Sequence, residues 1–197
     1  MTARRGPVAD RIVHLPMPIR GRRVLLELPG IDQLAATVRL LSDPEVHRGT
    51  LRIPFPYTES DARAWFRTAR RERRSGRLLP LRVVRRSDGV LLGGVGLHAI
   101  EESAARAEVG YWLGPEYWGQ GYATEAVNLV VRSAFRSLGL HRIEARVYPW
   151  NQASIRLARR CGFRYEGRLR DEVQKDGKWI STLLFARLAT DPPIRRR

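Results

Sequence analysis

Residues 116–127 read EYWGQGYATEAV, with Gly119 and Gly121 flanking Gln120 just ahead of helix-forming sequence. Downstream, Ala123, Ala126, Val127, Val130, Ala134, Phe135 and Leu138 recur at three- and four-residue spacing, one apolar stripe along a helix. Upstream, AEVGYWLG at 107–114 reads as a strand. Gly119-Gln120-Gly121 is therefore a strand-to-helix loop. The first turn of a helix has unpaired N–H groups and a positive dipole end, which suit an anion, and glycines let a ligand approach the backbone closely. Taken alone, the pattern is also that of a plain tight turn. GQGYA lacks the Gly-Lys-Ser/Thr of a P-loop and the full GxGxxG of a dinucleotide site.

Outward from that loop the chain reads as alternating elements. RRVLLELP predicts a strand, and IDQLAATVRLLSD a helix closed by Asp43-Pro44. A second helix follows Tyr57, with Thr58 as N-cap and Asp61 three residues on, a weakened capping box. LPLRVVRR and GVLLGGVGLHAI are strands joined at Ser87-Asp88-Gly89. Beyond the central helix, HRIEARVYP returns as a strand, and Asn151 caps a short helix ending near Cys161-Gly162. Two strands around Asp176-Gly177 close the chain. The order β-α-α-β-β-β-α-β-α-β-β implies one mixed α/β domain over 21–189. Residues 1–20 and 190–197 are expected to be loosely ordered basic extensions.

At 197 residues the chain is long enough to bury a proper core, and its single cysteine excludes an internal disulfide framework. No apolar run follows the basic N-terminus, and none spans a bilayer, so a cytoplasmic protein with no signal peptide and no membrane partner is expected. The net charge is +16, from 34 Arg and two Lys against 20 acidic residues. Arg clusters, such as RTARRERRSGR, fit an anionic partner, either the ribosome or another nucleic-acid assembly. They equally fit solvated faces in an arginine-biased composition. His98 and His141 have no second ligand at metal spacing, so no metal is expected, and Cys161 reads as a buried filler.

GYWLGPEYWGQGYATEA, followed by LGLHRIEARVYPWNQASIRLARRCGFRYEGRLRD, resembles the GNAT acyltransferases, and within them the RimJ/RimL ribosomal-protein N-acetyltransferase branch. SDPEV, PYTESDARAW and DGKWISTLLFARL extend the resemblance from about Arg23 to Leu188. It implies a mixed, mostly antiparallel central sheet, splayed at the acyl-CoA site and flanked by helices. It further implies that the loop Trp118, Gly119, Gln120, Gly121, Tyr122 and Ala123, with the Thr124 amide, cradles the acyl-CoA pyrophosphate. Trp118 stands where the family pattern has Gln or Arg. Tyr111, Trp112 and Leu113 match the strand that pairs with the pantetheine arm, and the Leu113 N–H would face the thioester carbonyl. Asn151 would hold the pantetheine chain.

Glu108 shares a strand face with Gly110 and Trp112. A carboxylate within a core strand is costly unless paired or functional. It reads either as the base that frees an amine lone pair, the role a Glu at this place has in the superfamily, or as the partner of Arg106 or Arg146. The Tyr that many relatives place seven residues after Asn151 is Ala158 here, and the branch offers Ser154 instead as proton donor to the leaving thiolate. Asp171 and Glu172 would lie near the acceptor mouth, where they could meet a cationic amine, or are equally surface residues. The expected activity is acetyl transfer from acetyl-CoA to a primary amine, a protein N-terminus or a small molecule, by a monomer or homodimer. The rival is a non-catalytic acyl-CoA sensor or a ribosome- or nucleic-acid-binding protein on the same fold.

Overall fold

A computed structural model describes residues 6–193. In chain order the elements are α1 (Val8–Val13), β1 (Ile19–Arg20), β2 (Val24–Glu27), α2 (Leu34–Leu41), α3 (Pro44–Gly49), α4 (Glu59–Arg74), β3 (Leu79–Arg85), β4 (Leu91–Glu101), β5 (Arg106–Leu113), α5 (Tyr122–Arg136), β6 (Arg142–Val147), α6 (Gln152–Arg160), β7 (Arg164–Lys175) and β8 (Lys178–Leu188). The strands form one eight-stranded sheet in the order β1-β2-β3-β4-β5-β6-β8-β7. Every pairing is antiparallel except β5–β6, which is parallel. Among the described residues, no helix is long and apolar enough to cross a membrane.

The parallel pair is the shortest pairing between long strands. Arg106, Ala107 and Glu108 face Arg142, Ile143 and Glu144, and there the pairing stops, although β5 runs on to Leu113 and β6 to Val147. This parting is the expected splay. On its other side β5 stays paired with β4 as far as Leu113 opposite Gly93. A Cβ on Gly93 would sit 2.1 Å from the Trp112 carbonyl oxygen, so only glycine permits this approach. The apolar stripe of α5 (Ala126, Val127, Val130 and Ala134) is buried in the main core with Leu92, Leu97, Val109, Ile143 and Phe185. A second, smaller cluster of Leu34, Leu41, Val46, Tyr57 and Ala62, with Trp112 packed against it, ties α2, α3 and α4 to β5.

Local capping explains the boundaries. Thr58 and Asp61 form a full reciprocal capping box at the start of α4. Asn151 accepts from the Ser154 N–H at the start of α6. Two expectations change. Asp43-Pro44 does close α2, but it also opens α3: Asp43 accepts from the Glu45 N–H, and Pro44 takes the first helical position, where no N–H is needed. Residues 8–20 are not loosely ordered, because Val8, Ile12 and Leu15 are buried in the main core and Ile19–Arg20 pair with β2. Arg73 clamps α1 by donating to the Ile12 and Val13 carbonyls. Of the C-terminal extension, Asp191 accepts from the Leu188 N–H and pairs with Arg164. Residues 1–5 and 194–197 of the two extensions lie outside the described residues.

Ile12 has no exposed surface. Ile12→Ala is therefore expected to lower the unfolding free energy by about 2–5 kcal/mol, the usual range for such a core truncation. Urea denaturation of the two proteins measures it; a change near zero would restore a loose N-terminal extension.

Candidate active site

The free end of β5, with α3, α5 and α6, encloses a cleft of about 240 Å³. It is lined by Tyr111, Trp112 and Leu113 from β5, and by Trp118, Gly119, Gly121, Tyr122, Ala123 and Thr124 from the loop and the first turn of α5. Asn151 and Ser154 of the α6 start line it too. The sequence spreads these residues over separate segments, and the fold brings them together. Gln120 is not in the lining: its side chain donates to the Glu116 carbonyl, and its own carbonyl accepts from Arg23.

The loop geometry follows from its glycines. Gly119 and Gly121 have φ of 73° and 82°, the left-handed region that side chains disfavour. Gly121 is the N-cap of α5, and no side chain caps that end. The first-turn donors of Tyr122, Ala123 and Thr124 are thus open toward the cleft. Arg23 holds the loop from behind: its side chain donates to the Gln120 carbonyl and to Glu125, and its guanidinium carbon lies 4.9 Å from the centre of the Tyr122 ring. Trp118, half-exposed, donates its indole N–H to the Leu113 carbonyl at 2.8 Å, fastening the loop to the strand end.

On β5 the main-chain groups alternate in direction. The Gly114 N–H donates to Leu92 on β4, so the Leu113 and Tyr111 groups face the other way, into the gap that β6 leaves. The opposite wall comes from Glu45, Val46, Gly49 and Thr50 of α3 and its end, with Arg156, Leu157 and Arg160 from α6. Arg23, α3 and the two α6 arginines were not identified from sequence. Asp43 before Pro44 was the available signal for α3; Arg23 carried none, because its partners lie about a hundred residues away.

Glu108 lies outside the cleft lining, at the vertex where β5 and β6 part, opposite Glu144. Arg146 donates to Glu108 at 2.6 Å, to Glu144 at 3.0 Å and to Glu172 at 2.8 Å. Glu172 also accepts from the Thr182 hydroxyl. The two facing carboxylates are pushed apart. Burial raises Glu108 above the ordinary carboxylate range, with the Arg146 guanidinium offsetting part of that. Glu144 is buried too, but Arg142 and Arg146 together hold it below its ordinary value. His98, opposite Glu108 on β4, brings Nε2 to 3.7 Å from the carboxylate, and its buried Nδ1 has no hydrogen-bond partner among the described residues. Burial, aided by the Arg52 and Arg146 charges, pushes the imidazole down to about 4. Asp171 and Glu172 line a separate open hollow on β7. Ala158 is on the buried face of α6, and Cys161 is buried with its Sγ 3.7 Å from the Thr124 carbonyl. Burial pushes that thiol up to about 12.

The acetyltransferase (GNAT) domain family matches residues 23–164. A Bacillus licheniformis protein, the uncharacterized N-acetyltransferase p20, is 35% identical over 163 residues, covering 83% of this chain and 89% of that protein. The spermidine N(1)-acetyltransferase of Escherichia coli K12 is 35% identical over 102 residues, 52% of this chain and 55% of that one. Among solved structures, Mycobacterium smegmatis RimJ in complex with CoA-disulfide superposes with a TM-score of 0.79 at 28% identity, covering 84% of this chain and 82% of that chain.

The His98 environment sets a pH dependence. An unfolded histidine titrates near about 6.5, so between that value and the folded one the unfolded chain binds a proton that the folded chain refuses. Stability is then lost as pH falls through this window, by up to about 3 kcal/mol at roughly 1.4 kcal/mol per unit. Denaturation at pH 7 and pH 4.5 is expected to show a smaller loss in His98→Gln than in the wild type; equal losses would contradict it.

Proposed function

This chain belongs to the GNAT acetyltransferase family, and from that premise we propose that it transfers an acetyl group from acetyl-CoA to a primary amine by direct attack within a ternary complex. Two features support the fit of acetyl-CoA to this cleft. The uncapped α5 start offers donors for a pyrophosphate, and the unpaired edge of β5 offers main-chain partners to an extended arm. Acetyl-CoA brings a thioester carbonyl carbon open to an amine. Gly119 to Thr124 would hold the phosphates, while Tyr111, Trp112, Leu113 and Asn151 would hold the arm. The Leu113 N–H is the donor for the carbonyl oxygen as negative charge builds on it, a contribution on the order of 3–4 kcal/mol for one such donor.

Glu108 is the base. The observation that carries this is the place of Glu108 at the vertex of the parted strands, beside His98 and Arg146, where burial raises its proton affinity while the facing Glu144 is held low. The amine nitrogen bonds to the carbonyl carbon, the carbon–sulfur bond breaks, and the amine proton passes to Glu108 directly or through water. The Ser154 hydroxyl, on the cleft wall, would return a proton to the sulfur. The acceptor is a protein N-terminus or a small amine, in keeping with the RimJ and spermidine acetyltransferase relatives. The Ala158 substitution favours one rival, an acyl-CoA binder that does not turn over.

Incubation with acetyl-CoA and an amine and peptide panel tests the reading by release of CoA. A protein that acetyl-CoA stabilises against heat but that acetylates no amine would be the sensor instead. Glu108→Gln is expected to lower kcat by roughly 10²- to 10⁴-fold at neutral pH, with acetyl-CoA affinity little changed and the deficit shrinking as pH rises. A folded variant with near wild-type kcat at pH 7 would remove Glu108 from the chemistry.

A further inference from the structure

Helix α4 has two faces of different chemistry. Ala62 and Ala69 are buried and Phe66 is half-buried, so that face belongs to the fold. On the exposed side, Arg63, Arg67, Arg70 and Arg74 recur at spacings of four, three and four residues, one row along the axis. The row is about 16 Å long at 1.5 Å per residue. The carboxylates of the helix neutralise only its first member, Arg63. Glu59 is engaged by Arg63 at 3.3 Å, Asp61 by the Thr58 cap, and Glu72 by Arg77 at 2.7 Å and Arg71 at 3.2 Å. Among the described residues, Arg67, Arg70 and Arg74 have no ion pair. Some arginines on the sheet are compensated: Arg82 pairs with Glu27 and Asp32, and Arg142 with Glu144 and Glu166. An arginine-biased composition accounts for the number of guanidinium groups, but not for a straight row in which three successive members, Arg67, Arg70 and Arg74, are uncompensated.

We infer that this row is a docking surface for the phosphate backbone of a nucleic-acid duplex. The guanidinium fork matches phosphate oxygens in a bidentate way, and a straight row can follow one backbone. The exposed residues flanking it, Ala64, Thr68 and Arg71, supply no aromatic ring for stacking on unpaired bases, which favours a duplex over a single strand. The exposed Trp65 lies about 200° round the helix from Arg63, away from the row. A membrane-surface helix exposes its apolar face, whereas that of α4 is buried, and a protein interface would need an apolar anchor in the row. No α4 residue lines the cleft, so the surface is separate from the acetyl-transfer site.

The test is fluorescence anisotropy of labelled 20-base-pair duplexes, one RNA and one DNA, across a salt series. Backbone recognition predicts binding to both, with log Kd rising linearly with log salt. The triple variant Arg67→Gln, Arg70→Gln, Arg74→Gln is expected to weaken binding at least tenfold at low salt and to reduce the slope by about 2–3, at roughly 0.9 for each phosphate no longer neutralised. Each single variant should remove about one third of that. A control triple, Arg39→Gln, Arg106→Gln, Arg164→Gln, removes equal charge from guanidinium groups already paired with Glu116, Glu101 and Asp191, and should leave the slope near the wild-type value. Melting temperature and its response to acetyl-CoA verify that each variant is folded. Equal losses in the two triples, no duplex binding at low salt, or row-dependent binding of polyglutamate or phosphatidylserine vesicles in place of duplexes would overturn the inference.

Discussion

β5 and β6 stay together for three residues and then separate, and most of what surrounds them follows from that separation. A strand whose main-chain groups face a gap is unfavourable unless something occupies them, because buried N–H and C=O groups are nearly always paired. Three features keep the gap from closing. The opposed Gly93 draws β4 tightly against β5, so the strand end cannot swing toward β6 without breaking that pairing. The Trp118 indole takes the Leu113 carbonyl, and Trp112 is anchored in the smaller core beneath α2 and α3. The helix that follows opens without a side-chain cap, which leaves its first donors to the same space. An open strand edge and an open helix start thus share one cleft.

At the closed end of the fork the governing term is electrostatic. Glu108 and Glu144 face each other across the parallel pair, and like charges so placed would repel. Arg146 resolves this by bonding both, together with Glu172 from β7, so one guanidinium links β5, β6 and β7. Its side chain is 30% exposed, which lessens the worth of each pair, and it favours the ionised form of both carboxylates, so the difference between them comes from the deeper burial of Glu108 and from Arg142 beside Glu144. Glu144, with Arg142 as second partner, stays ionised; Glu108, more deeply desolvated, holds a proton more readily.

Much of this was legible in the sequence because the signals were local. The glycine-flanked loop, the Thr58–Asp61 box, the Asn151 cap and the Asp88-Gly89 turn each declare themselves within a few residues. Helix α1 did not, since six residues give too little periodicity and the Arg73 side chain that bonds its end lies some sixty positions away. The proline that closes one helix and opens the next concealed α3, and with it one wall of the cleft. Of the two sequence readings of Glu108, the pairing with Arg146 is present in the structure, while the role of base belongs to the proposal. The link from Arg146 to three carboxylates is a matter of strand order, which no short motif encodes.

The lone thiol gives the molecule an internal clock. Cys161 is sealed where the end of α6 meets the start of α5, and as a weak acid it presents almost no thiolate to a reagent while that junction is shut. Its modification rate in the native protein therefore counts openings of the wall shared by the cleft and the helix start. Any molecule that fills the cleft and holds α5 against α6 must slow that count, even if it never reacts.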